Sequence, residues 1–149
     1  YSSREQDELF KIYAKNIAEG KYDNTHVIIM NRSHIGEYVY GVLYRNRDNV
    51  EVEQMINDVN DILYYREDLD IRYIQLLSNS EQLLKSNEDG KSLSNGNVEK
   101  INKEANQFKE IFNNINIKDS DKRLIFVNEG NGFRSREDIF NEAFRFINE

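Results

Sequence analysis

The chain has no cysteine and no proline, and only two histidines among its 149 residues. Without cysteine there are no disulfides, thiolate metal sites or cysteine nucleophiles, which is compatible with a reducing compartment. The two histidines, His26 and His34, are not spaced like metal ligands on a helix. No apolar run is long enough to span a bilayer, and no charged-then-apolar segment reads as a signal peptide. The expectation is a cytoplasmic protein with no membrane association. Basic charge is also scarce: 20 Lys and Arg stand against 27 Asp and Glu, a formal charge of -7 and a pI near 5.0. A dedicated nucleic-acid binder, which needs a dominant basic face, is disfavoured. A local anion site inside an acidic protein is not. The absence of proline, with an abundance of Asn, Ile, Lys and Tyr, reads as the bias of an AT-rich coding sequence. The chain begins at Tyr1 rather than Met, so Tyr1 is not expected to be the natural start of the open reading frame. The length suits one domain over residues 1–149.

Local pattern divides the chain into alternating elements. Ser3-Arg4-Glu5-Gln6 reads as a capping box. Leu9, Phe10, Tyr13 and Ile17 follow at helical spacing, and Gly20 stops the helix. Val27-Ile28-Ile29-Met30 is a continuous apolar run, the signature of a parallel strand buried on both faces. Ile35, Val39, Val42 and Leu43 then share one helical face, while Glu37, Tyr40, Gly41 and Tyr44 share another. Val52, Met55, Ile56, Val59, Ile62 and Leu63 mark the next helix. Ile71–Leu77 reads as a strand, and Ser78-Asn79-Ser80-Glu81 as a second capping box. The polar stretch 86–97 reads as a mobile loop. Val98, Ile101, Ala105, Phe108, Phe112 and Ile115 mark a long helix, residues 124–127 a third strand, and Ile139, Phe140, Ala143, Phe144 and Ile147 a last helix that Ser135 could cap. There is no internal repeat. Helices alternating with short apolar strands predict an open α/β sheet with flanking helices. In such sheets ligands bind outside the carboxyl ends of strands. Asn31–His34, Ser78–Ser80 and Asn128–Asn131 are expected at such ends.

Four basic or titratable side chains, Arg32, His34, Arg45 and Arg47, gather beside the first expected strand end. Arg32 follows the apolar run directly, and its planar guanidinium suits bidentate contact with phosphate or carboxylate. Glu37, Tyr40 and Tyr44 face the same way on the next helix. An Arg for an anion, aromatic rings for a base and a carboxylate for a hydroxyl or amine would make a nucleotide pocket. The plainer alternative is a surface ion pair with packing tyrosines.

The segment NRSHIGEYVYGVLYR resembles the pattern D-R-x-H-x-G-E-x-V-Y-x-x-x-x-R of thymidylate-kinase-like proteins, a branch of the P-loop nucleoside and nucleoside-monophosphate kinases. The tail FVNEGNGFRSREDIFNEAFRFI resembles the last strand and helix of that group, so the likeness runs over essentially the whole chain. It implies a P-loop-kinase-like open parallel sheet and phosphoryl transfer from ATP, with Mg, to dTMP or a related pyrimidine nucleotide. It also implies roles. Arg32 would hold the acceptor phosphate or the transferring group, and Tyr40 would line the base pocket. Glu37, Arg45 and His34 would border the acceptor. The loop 86–97, with Lys85 and Lys91 as its cations, would be a lid. The group often dimerises through helices, which implies a homodimer.

Three departures qualify the likeness. The phosphate loop G-x-x-x-x-G-K-[ST] is absent from these residues. Asn31 stands where the pattern has an acid, so it lacks the charge that helps hold hydrated Mg. The position after Lys85, often basic in relatives, is Ser86. The first two strands of the family's sheet, including the central one, are expected to be missing here. A second chain or segment would then have to complete the sheet. Two further readings follow. One is a catalytically inactive kinase-like subunit of a larger assembly. The other is a kinase acting on modified bases in DNA.

Overall fold

The computed structural model describes residues 2–23, 27–86 and 93–149. The chain divides into two compact units: residues 1–71 with 110–116, and residues 72–109 with 117–149.

The first unit is helical. Helix α1 (Ser3–Ala18) is capped by Ser2, one residue earlier than the sequence pattern suggests. Glu5, not Gln6, closes the capping box: Ser2 N donates to Glu5 Oε2 at 2.7 Å, and Glu5 N donates to Ser2 Oγ at 3.3 Å. A carboxylate at this position accepts more strongly than an amide and also meets the positive end of the helix. The Ser2 backbone bond accordingly holds the Glu5 carboxyl below its ordinary pKa. Gly20, at φ 71°, lies just beyond the helix, where only glycine is unstrained. A single 3-10 turn, His34–Gly36, leads into α2 (Glu37–Arg45). Asn46, left-handed at φ 54°, ends α2, and Asp48 then caps α3 (Asn49–Tyr64) by accepting from Glu51 N at 3.0 Å. The expected stripe of α3 is the core of this unit: Val52, Ile56 and Val59 are almost fully buried, with Ala14, Tyr38, Val39 and Ile111.

The run Val27–Met30 departs from expectation. It belongs to no strand, and its exposures are 70%, 45%, 87% and 40%. The other described elements of its unit are helices, so none of them offers a ladder partner to a parallel strand.

The second unit holds the sheet. Strands β1 (Tyr73–Leu77) and β2 (Lys122–Phe126) pair in parallel, with Tyr73 opposite Lys122 and Leu77 opposite Phe126. The hairpin of β3 (Asn128–Glu129) and β4 (Gly132–Phe133) follows directly. Its two-residue turn begins at Gly130 with φ 58°, the positive value that the first central position of such turns demands. Ser80 starts α4 (Glu81–Ser86) by accepting from Leu83 N at 3.3 Å. Helix α5 (Val98–Asn114) begins in this unit, and its residues from Glu110 belong to the first. Helix α6 (Arg136–Ile147) is capped by Ser135, as its sequence predicts. Its buried face is not the predicted one. Phe146 is 2% exposed beneath the guanidiniums of Arg72 and Arg123, at 5.5 and 5.0 Å, while Phe140, Phe144 and Ile147 are exposed.

The described architecture is therefore mixed α/β, with six α-helices and a two-stranded parallel sheet in place of the expected three parallel strands. Among the described residues no helix is long and apolar enough to cross a membrane.

Candidate anion site

Asn31 and Arg32 lie on the surface of the first unit, immediately before the 3-10 turn. Arg32 has φ 50°, a left-handed conformation that a side chain with a Cβ rarely adopts. Two and three residues later His34 and Ile35 are 3% and 7% exposed, so an exposed arginine sits close to a buried anchor. Among the described residues Arg32 makes no ion pair or hydrogen bond.

The other arginines of the cluster are engaged within the protein. Glu37 is 5% exposed and serves two guanidiniums: Arg45 Nη2 reaches Oε1 at 2.6 Å, and Arg47 Nη1 reaches Oε2 at 3.2 Å. Arg47 also forks onto Asp7 of α1, at 2.9 and 2.6 Å. That bidentate bond is the main reason the Arg47 guanidinium holds its proton even more tightly than an ordinary arginine. Arg45 donates to Gln6 at 3.3 Å as well. Glu37, Arg45 and Arg47 thus form one network tying α2 and the start of the α2–α3 connection to α1. Glu37 and Arg47 are too buried to meet a ligand without breaking it. Arg45 keeps 43% side-chain exposure and can present its outer edge.

Tyr40 is half-buried and stacks on Tyr44, with ring centroids 6.5 Å apart. The pair makes an aromatic ledge on α2, of the sort that a planar base can lie against. Tyr38, one residue before Val39, takes the opposite course. It is almost fully buried and donates to Glu110 at 2.8 Å, and burial with that neighbour pushes its hydroxyl up to about 12.

His34, expected to border the acceptor, is 3% exposed and bonded within the protein. Its Nε2 meets Asn60 Oδ1 at 2.8 Å, and its ring tilts against Phe10 at 6.0 Å. Asn60 passes the chain of bonds to Asn116, at 3.0 Å, and Asn116 to the Asp61 carboxylate, at 2.6 Å. Burial lowers the imidazole's pKa, and the Asn60 bond only partly offsets it.

In the second unit the two expected strand ends meet. Asn79 N donates to Asn128 Oδ1 at 3.0 Å, and Asn128 Nδ2 returns to Asn79 Oδ1 at 2.6 Å and to Gly130 O at 2.6 Å. Ser80 Oγ donates to Asn131 Oδ1 at 3.0 Å. These polar groups satisfy one another and build the turn. Lys85 is exposed at the end of α4. Lys91 and half of the expected lid (87–92), like His26, lie outside the described residues.

The residues present do not fit an ATP–Mg centre. Among the described residues no three His, Cys, Asp or Glu side chains group as metal ligands, and Asn31 offers a neutral amide. The 149 residues also lack the glycine-rich loop and lysine that would wrap a triphosphate.

Sequence reasoning missed Asp7, Gln6 and Asn60. Their partners lie 40, 39 and 26 residues away, too far for any local periodicity to reveal them. The available signal was Arg47 itself, a cation following closely on Glu37 and Arg45. In comparisons with known proteins, no family model, no curated protein and no solved structure matches the chain.

Proposed function

We propose that this chain carries the acceptor side of a thymidylate-kinase-like phosphotransferase, which moves a phosphoryl group from ATP to dTMP or a related pyrimidine nucleotide. The observation that carries the reading is the contrast within one cluster. Arg45 and Arg47 are committed to Glu37 and Asp7, while Arg32 stands exposed beside a buried turn, without a protein partner among the described residues. An arginine so placed is suited to a phosphate dianion, which it can take in a fork. The Tyr40–Tyr44 ledge lies on the helix that follows and offers a surface for a base. Glu37 acts indirectly, by holding Arg45. His34 does not contact the acceptor.

ATP and Mg would be held by residues outside these 149, and no step of the transfer is assigned to residues present here. Two features support a further strand in the working protein. The run Val27–Met30 is apolar, exposed and unpaired among the described residues. The parallel sheet has only two described strands, whereas such sheets are ordinarily larger and covered on both faces.

The test uses the product of the complete gene that encodes this chain. It should phosphorylate dTMP with ATP and Mg. Arg32→Ala should lower kcat/KM by about a hundredfold or more, the loss expected for one charge-stabilising group, with an unchanged melting curve. Turnover unaffected by Arg32→Ala would overturn the role of Arg32. A product that binds no nucleotide by calorimetry would instead favour an inactive kinase-like subunit, a reading that the neutral Asn31 supports.

A further inference from the structure

We propose that His34 is a positioning residue for Arg32: its neutral imidazole, tied through Nε2 to Asn60, holds the turn that presents the Arg32 guanidinium to an anionic acceptor. The inference rests on the reading of Arg32 as the acceptor's anion contact and deepens it.

The support comes from what lies on each side of Arg32. Upstream, Val27–Met30 is exposed and pairs with no described strand. Downstream, His34 and Ile35 are buried, and Gly36 N closes the turn onto Ser33 O at 3.0 Å. A left-handed non-glycine residue persists only where its neighbours hold it. The first held side chain after Arg32 is His34.

The hydrogen bonds allow His34 one form. Asn116 Nδ2 donates to the Asp61 carboxylate and to Asn57 O, so Asn116 Oδ1 receives Asn60 Nδ2. Asn60 Oδ1 therefore faces His34 as an acceptor, and Nε2 must carry the proton. Nδ1 is buried without any hydrogen-bond partner. A second proton there would be an N–H with no acceptor and a charge with no counter-ion. Among the described residues, the elements packed around His34 offer none. Helix α1 brings the Phe10 ring, and α3 brings the Asn60 amide. Helix α2 brings Glu37, whose two oxygens are taken by Arg45 and Arg47. Asp61 is reached only through two amides. Protonation of His34 therefore releases the turn, and acceptor binding at Arg32 weakens as pH falls below neutrality.

The experiment compares the product of the complete gene with its variants His34→Gln, which keeps an amide donor for Asn60 but cannot titrate, and His34→Phe, which keeps a ring but no donor. NMR reads the His34 ring tautomer and the Arg32 backbone order, and dTMP titrations are run at about pH 7.5 and about pH 5.5. The wild-type ring should be the Nε2–H tautomer, with Arg32 ordered (order parameter about 0.85). His34→Gln should keep that order and bind dTMP within about threefold of wild type at the higher pH. Its affinity should fall less on acidification than the wild type's, by about tenfold. The acceptor phosphate's own ionisation affects both proteins alike. His34→Phe should leave Arg32 mobile (order parameter below about 0.6) and dTMP binding about tenfold weaker at both pH values. Arg32 equally ordered and dTMP equally bound in His34→Phe would overturn the proposal, as would a ring that titrates like an exposed histidine. If wild type binds no dTMP, the acceptor reading falls, and the Arg32 order parameters alone decide the positioning role. Should His34→Phe fail to fold, Asn60→Ala removes the same bond and is read by the same criteria.

Discussion

Gly41 decides whether Glu37 and Arg47 can meet. A Cβ at this position would stand 2.9 Å from Glu37 Oε2 and 3.0 Å from Arg47 Cδ, and both side chains are pinned by other bonds. Its carbonyl also receives Arg47 N at 3.1 Å. Alanine in a helix ordinarily gains about 1 kcal/mol over glycine. Here crowding should outweigh that gain, and Gly41→Ala should cost about 1–2 kcal/mol net in urea unfolding. A stabilised variant would show that the network can spread to admit a methyl group. His34 gives a second prediction at this scale. Its folded pKa lies below the ordinary 6.5, so the unfolded chain binds the proton more readily. The corresponding stability is fully present above about pH 6.5 and is lost as pH falls from there towards the folded pKa. His34→Gln should flatten the dependence of the urea midpoint on pH in this window. An unchanged slope would assign it to other groups.

At the scale of elements, the same physics explains what could and could not be read in the sequence. The stripe of α3 was legible because Val52, Met55, Ile56, Val59 and Leu63 all recur on one face and all are buried. The cap at Ser135 was legible because a hydroxyl before an acidic first turn has a local function. The cap of α4 was placed two residues early, on Ser78, whereas Ser80 accepts from Leu83 N. Helix α6 misled because its longest aromatic stripe, with Phe140 stacked on Phe144 at 5.8 Å, is exposed. The packed ring is Phe146, selected by Arg72 and Arg123 from elsewhere in the chain. The run Val27–Met30 has the composition of a buried strand, but composition does not supply a neighbour. Its four residues, uncharged and in no ladder among the described residues, make a ready template for intermolecular pairing. Ile29 is 87% exposed. Ile29→Lys should therefore shift the melting temperature little while lowering light scattering of concentrated samples, since such surface changes usually stay within about 0.5 kcal/mol. Equal scattering would remove this run as the source of self-association.

For the whole molecule, the acidic balance and the lack of cysteine narrow the chemistry from composition alone, but the pairing of distant residues does not follow from them. The Asp7–Arg47 fork and the Asn79–Asn128 exchange join positions 40 and 49 residues apart. The candidate site was legible as a run of residues, Arg32 to Arg45. Its division into one exposed arginine and a buried network was not, because burial is a property of packing.

The Asn79–Asn128 exchange also has a bearing on time. It sits where two parallel strands end, after a connection long enough to hold α4 and α5. Closing such a loop costs roughly 3–4 kcal/mol of chain entropy before the first ladder bond offsets it. Pairing of β1 with β2 should then be a slow step of folding, as non-local pairings usually are. An amide exchange at the far end of the ladder forms after that barrier and acts as a latch. Asn128→Ala should speed unfolding several-fold in stopped-flow chevrons and leave the refolding limb almost unmoved. A slowed refolding limb would mean that the latch is made first, and that the two strands zip from their carboxyl ends backwards.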